Sequence, residues 1–106
     1  MTFETLYKNL KVLGHPVAYD HFNEKAPLPF LIFIDEGKGT FVADERVWTK
    51  NTKIRLELYF EDKEKATNLE SRLEDLLDSL NLIWEDEETY FIQEEEMYQH
   101  NYYFSI

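Results

Sequence analysis

Apolar positions in the first segment, Thr2 to Leu13, fall at Phe3, Leu6, Tyr7, Leu10 and Leu13. That three- and four-residue spacing predicts an amphipathic helix with Thr2 as its N-cap. Gly14 suits the position just past a helix end and Pro16 prevents continuation, so the chain is expected to turn there. Val17 to Phe22 reads as a short strand, and Asn23 to Pro29, with prolines at 27 and 29, as an extended connection. Phe30 to Ile34 is a continuous β-favouring apolar run, which predicts a strand buried on both faces in the middle of a sheet. Asp35 to Gly39 reads as a turn. Phe41 to Lys50 resumes with Phe41, Val42, Val47 and Trp48 among charges, as a strand or a projecting loop.

The clearest alternation follows. From Thr52 to Glu61, residues Ile54, Leu56, Leu58 and Phe60 share one face, opposite Arg55, Glu57, Tyr59 and Glu61. Lys63 to Leu80 then places Ala66, Leu69, Leu73, Leu76, Leu77 and Leu80 at helical spacing behind a capping Asp62, giving a helix about 27 Å long. Leu82 to Trp84, Thr89 to Gln93 and Met97 to Ile106 read as strands, with the acidic groups Glu85 to Glu88 and Glu94 to Glu96 in turns between them. The order predicts a single α+β domain over residues 1–106: one mostly antiparallel sheet of about five to six strands, with two helices packed mainly on one face.

Composition narrows the function. The chain holds 43% hydrophobic residues, enough to build a core at 106 residues, and no cysteine, which removes disulfides and thiolate metal sites. No segment reads as a signal region or approaches the roughly 20 apolar residues of a membrane span, so no membrane role is expected. Net charge is −11, and its distribution is uneven: residues 73–106 carry 10 acids and no Lys or Arg. Such a surface does not hold nucleic acid backbone by bulk attraction. It is a solvated face, or a surface that repels or imitates DNA.

Candidate chemistry is sparse. His15, His21 and His100 lack metal-site spacing, Gly37-Lys38-Gly39 lacks the further glycines of a phosphate loop, and Glu85 to Glu88 lacks the alternation of a calcium loop. Ser71 and Ser79 lie within the predicted helix and Ser105 beside the C-terminal residue, away from any nucleophile elbow. The expectation is therefore no enzyme, no catalytic residue, no cofactor and no metal. Tyr90, Phe91, Tyr98, Tyr102, Tyr103 and Phe104 read as sheet core and cross-strand pairs. Phe41, Val42, Val47 and Trp48 read as a candidate interface, because exposed aromatics anchor protein contacts.

Several segments together resemble a known family. Pro27-Leu28-Pro29-Phe30-Leu31-Ile32-Phe33, then Phe41-Val42-Ala43-Asp44 with Val47-Trp48, then the strand Ile54 to Phe60 running into an acidic helix, resemble the small tail-completion, tail-terminator or head–tail joining proteins of long-tailed phages and prophages. Trp84-Glu85, Glu88-Thr89-Tyr90 and the closing aromatic strand extend the likeness along most of the chain. The resemblance implies a homo-oligomeric ring, a hexamer on assembly, that caps the head-proximal end of the tail tube. Its partners would be other copies of itself, the tail-tube protein and the head connector protein, in the host cytoplasm and then in the virion. Glu85, Asp86, Glu87, Glu88, Glu94, Glu95 and Glu96 would face the lumen and repel passing DNA. The competing expectation is an acidic DNA mimic that inhibits a nucleic-acid-binding host protein.

Overall fold

The computed structural model describes residues 1–43 and 46–106, with side chains described for 1–37 and 51–106. Helix α1 spans Phe3–Lys11. The Thr2 hydroxyl accepts from the Thr5 N–H at 3.1 Å, satisfying a backbone donor that the first turn leaves free. Leu6 and Leu10 are buried, and Gly14 leaves the helix at φ +87°, a conformation that favours glycine. Strand β1, Val17–Tyr19, is shorter than expected because Asp20 takes φ +67° and bends the chain away. The Leu28–Pro29 peptide bond is cis.

Strands β2, Phe30–Ala43, and β3, Arg46–Phe60, form one long antiparallel hairpin. The stretch Asp35 to Gly39 is therefore part of β2, with a bulge between Asp35 and Lys38, and not the turn its composition suggested. The register shifts between Asp35 and Lys38, Gly37 sits at φ +105°, and its N–H donates to the Asp35 carboxylate. Polar and glycine-rich residues serve a bulge as well as they serve a turn, so composition alone does not separate the two.

Helix α2, Lys63–Ser79, starts at Asp62, whose carboxylate accepts from the Glu64 and Lys65 N–H groups. The short strands β4, Glu85–Asp86, and β5, Tyr90–Ile92, precede β6, Met97–Ser105. Leu82 to Trp84, expected as a strand, has no regular secondary structure; the ladder begins one step later, at Glu85.

The sheet order is β1-β2-β3-β6-β4, with β5 also on β6, and every pair is antiparallel except β1–β2. This is the α+β class that the sequence predicts. The central strand is β3, however, and the apolar run Phe30 to Ile34 lies one place from the edge. Leu31 and Phe33 point into the core, whereas Phe30, Ile32 and Ile34 are only half-buried on the other face.

Leu31 and Phe33 of β2, Ile54, Leu56, Leu58 and Phe60 of β3, and Tyr102 and Phe104 of β6 share a face through their register. They form one cluster with Leu6 and Leu10 of α1 and Leu69, Leu73 and Leu77 of α2. Each such side chain contributes about 1.5–3 kcal/mol on burial. Among the described residues no helix covers the opposite face, and no helix is long and apolar enough to cross a membrane.

Pairing to β6 begins at Lys53, with Thr52 and Ile106 exchanging two further backbone bonds. Beyond Lys38↔Thr52 and out to Ala43↔Arg46, β2 and β3 pair only with each other among the described residues. The result is a two-stranded ribbon standing roughly 20 Å past the sheet at ~3.3 Å per residue. The molecule measures 47 × 28 × 27 Å.

Candidate functional site

The acids of α2 form a ladder. Glu70, Glu74 and Asp78 recur every four residues, beside the buried Leu69, Leu73 and Leu77. A helix brings i and i+4 to the same face, so the three carboxylates line the flank of the apolar stripe. Each takes a donor from the chain that packs alongside. Glu70 meets His100 Nδ1 at 2.5 Å, Glu74 accepts from the Tyr102 hydroxyl at 2.7 Å, and Asp78 accepts from Trp84 Nε1 at 2.8 Å.

His100 is the centre of this set. Its side chain is 8% exposed, and its second nitrogen, Nε2, lies 2.8 Å from Asp86 of β4. With a carboxylate at each ring nitrogen, His100 ties α2 to the sheet edge through one buried group. Its ring also lies 4.3 Å, centroid to centroid, from that of Tyr102. Burial, then the bond to Glu74, raises the Tyr102 hydroxyl far above the ordinary tyrosine range and keeps it a donor.

A second polar network lies on the helix-free face. Glu57 of β3 is buried; it accepts from Arg55 Nε at 2.9 Å and from the Tyr59 hydroxyl at 2.8 Å, while Arg55 Nη1 reaches Glu36 at 2.9 Å. Burial opposes the charge of Arg55, but Glu57 and Glu36 outweigh it and hold the guanidinium above its usual value. Tyr59 is pushed up by burial and by its bond to Glu57. Beside them Gln99 donates to Asn101 at 2.8 Å, and the Tyr103 hydroxyl donates to Glu87 at 2.5 Å. Burial followed by that bond takes Tyr103 up to about 12. Among the described residues no buried side-chain polar atom lacks a partner, as expected where orphaned groups cost about 1–3 kcal/mol each.

The predicted lumen acids come together along one border of the molecule. Glu85 and Asp86 pair with Tyr103 and Tyr102, Glu87 and Glu88 follow, and Glu94, Glu95 and Glu96 occupy the turn between β5 and β6. All seven therefore track the outer edge of β6, over roughly 20 Å at ~3.3 Å per residue. The expectation that they sit in turns holds for 94–96 and fails for Glu85 and Asp86, which are strand residues. Asp86 and Glu87 are engaged by His100 and Tyr103.

Of the closing aromatics, Tyr102 and Phe104 are core; Tyr90 and Phe91 are exposed and not core, but Phe91 makes the expected cross-strand pair with Tyr98, ring centroids 5.0 Å apart. The backbones of Phe41, Val42, Val47 and Trp48 lie on the ribbon, with Val42 opposite Val47, and their side chains lie outside the described residues. His21 is exposed against Asp20. Among the described residues no group of three or more His, Asp or Glu side chains is placed to hold a metal ion.

Two open clefts flank the sheet. One, about 720 Å³, lies where Leu82, Ile83 and Trp84 diverge from Phe104 and Ser105. The other, about 830 Å³, lies at the start of α2 between His15, Lys63, Lys65 and Glu96. His100 lines neither. Comparison with known protein families, with characterised proteins and with solved structures finds no match to this chain.

Proposed function

We propose that the chain is a non-enzymatic structural subunit of a phage tail, one copy of a ring that caps the head-proximal end of the tail tube and joins it to the head. The observation that carries this reading is the ribbon: two strands leave a body whose described buried side-chain polar groups are all satisfied, and beyond Lys38↔Thr52 they pair only with each other among the described residues. A closed ring of identical subunits needs a projecting element that contacts a different surface on the next copy. The acids gathered along the β6 edge supply a border that repels phosphate, as a channel for DNA requires. Glu85, Glu88, Glu94, Glu95 and Glu96 are the exposed members of that border without a named internal donor, and they are the ones assigned to the lumen.

DNA mimicry is the second reading: it rests on the same exposed carboxylates, Glu85, Glu88, Glu94, Glu95 and Glu96, but it gives no role to the ribbon, and several neighbouring acids are already engaged. Here Glu70, Glu74, Asp78, Asp86 and Glu87 already accept from donors within the chain. A hydrolytic or acid–base enzyme also fits poorly, since His100 has both ring nitrogens facing carboxylates and neither facing a cleft.

The test is deletion of the gene from the phage or prophage that carries it, followed by electron microscopy of the lysate. Filled heads separated from unattached or overlong tails are expected. Intact virions in normal numbers would overturn the proposal, and retained activity against a basic host enzyme would then move the assignment to the mimic.

A further inference from the structure

We infer that the cleft between Leu82–Trp84 and the end of β6 receives the β2–β3 ribbon of a second copy of this chain. The inference rests on the ring reading above and names the surface on which the ring closes.

Three observations converge on the cleft. β4 pairs Glu85 with Tyr103, and continuing that ladder would set Trp84 opposite Phe104 and Ile83 opposite Ser105. The chain does not continue it. Leu82 turns its N–H back to Leu77 at 3.1 Å, and among the described residues no backbone bond joins 82–84 to β6. The outer border of β6 is thus covered by β5 and β4 from Met97 to Tyr103 and left open at Phe104 and Ser105. An open strand end beside a cleft is the setting in which an added strand pairs its backbone and seats alternate side chains.

Exposure gives the second observation. Ile83 is 94% exposed at the mouth of the cleft, while Trp84 and Phe104 line its wall. A β-branched apolar residue left almost wholly in water beside an apolar wall marks a contact surface better than scattered exposure does.

Charge selects the occupant. Residues 38–50 hold three bases and two acids, a net +1, whereas the remainder of the chain carries −12. The ribbon is an extended element with apolar residues and without the acidic excess, and among the described residues its strands beyond Lys38↔Thr52 pair only with each other, which leaves their outer backbone edges free to pair. The cleft is bordered by Glu36, Lys53 and Glu85; Glu36 is already paired with Arg55, so among the described residues the unpaired acid at the slot is Glu85, which opens the acidic edge. A second copy offers the complementary strand that the rest of its own surface would repel. The slot and the ribbon are different surfaces, so the contact runs head to tail and propagates around a ring.

The absence of cysteine permits a direct test. Ile83→Cys and Val47→Cys variants are made separately, checked for unchanged melting, mixed at millimolar protein and oxidised with glutathione disulfide. A disulfide requires Cα atoms within about 7 Å. The expected result is a cross-linked dimer in the mixture in severalfold excess over either variant alone. A second variant, Ile83→Asp, should shift light scattering toward monomer at unchanged melting temperature. Equal cross-linking in all samples, or none at millimolar protein, overturns the inference. If deletion of the gene still separates heads from tails in that case, the tail role stands and only the site of ring closure falls. Cross-linking together with normal virions from the deletion would retire the tail role and leave a self-association surface.

Discussion

His100 shows how much one side chain can hold in a chain this small. It stands between Glu70 and Asp86, with 22% and 43% of those side chains exposed, so the two acids are partly withdrawn from water and face each other across the ring. Replacing His100 by Ala removes both charge-assisted bonds and leaves two like charges on either side of a void. We expect a loss of about 3 kcal/mol, the usual cost of breaking a buried pair by removing one partner. A lowered midpoint in urea with an unchanged slope is the reading expected. A change below about 0.5 kcal/mol, the size of an ordinary surface substitution, would show that the ring is not a structural tie. Neither Glu70 nor Asp86 has a sequence feature that pairs it with His100. The i, i+4, i+8 spacing of Glu70, Glu74 and Asp78 beside the leucine stripe was visible, but helix periodicity says only that they share a flank. Their donors come from a strand and a loop that follow in sequence, and only the packed chain brings them opposite.

At the scale of elements, the β3–β6 pair concentrates tyrosines that are held protonated. Tyr59, Tyr102 and Tyr103 all have folded-state values raised above the ordinary 10.0, by burial first and by a carboxylate acceptor second. The unfolded chain therefore releases these protons first, and above pH 10 it binds fewer protons than the native state. Their contribution to stability is complete below pH 10 and is lost as pH rises, with Tyr103 ionising in the native state only near 12. The expected outcome is that stability falls steadily between pH 10 and 12. Tyrosinate absorbance should show these residues titrating together with loss of far-ultraviolet signal. Independent titration near 10 in a folded chain would remove the network.

The elements themselves were legible where a period was long. Both helices, with Thr2 and Asp62 as caps, and the alternation from Ile54 to Phe60 follow directly from spacing. What spacing misread were the short decisions. The bulge at Gly37 resembled a turn, Phe30 to Ile34 was placed centrally on apolarity although one of its faces is uncovered, and Leu82 to Trp84 has strand composition without a strand partner.

For the molecule as a whole, the excess of negative charge is a load on the compact state. Bringing −11 into a body 28 Å across its shorter directions, with the acids concentrated along α2 and one sheet border, costs free energy through self-repulsion that salt screens. Thermal midpoints should therefore rise as salt is raised from about 10 mM toward 150 mM, where the Debye length falls from about 30 Å to 8 Å. A midpoint that falls over that range would mean that the ion pairs of Arg55 with Glu36 and Glu57 outweigh the general repulsion. The resting place of the acids has another consequence. A sheet with a free border invites unlimited sideways growth, the route by which strands stack into fibrils. Along β6 that route is closed by two interrupted strands and a run of like charges, and on the far side by a strand of three residues. With these borders barred, the unpaired backbone of the described residues is left at the ribbon and at the slot beside Phe104 and Ser105, so the finite assembly proposed above would grow by one chosen contact and not by stacking of sheet edges.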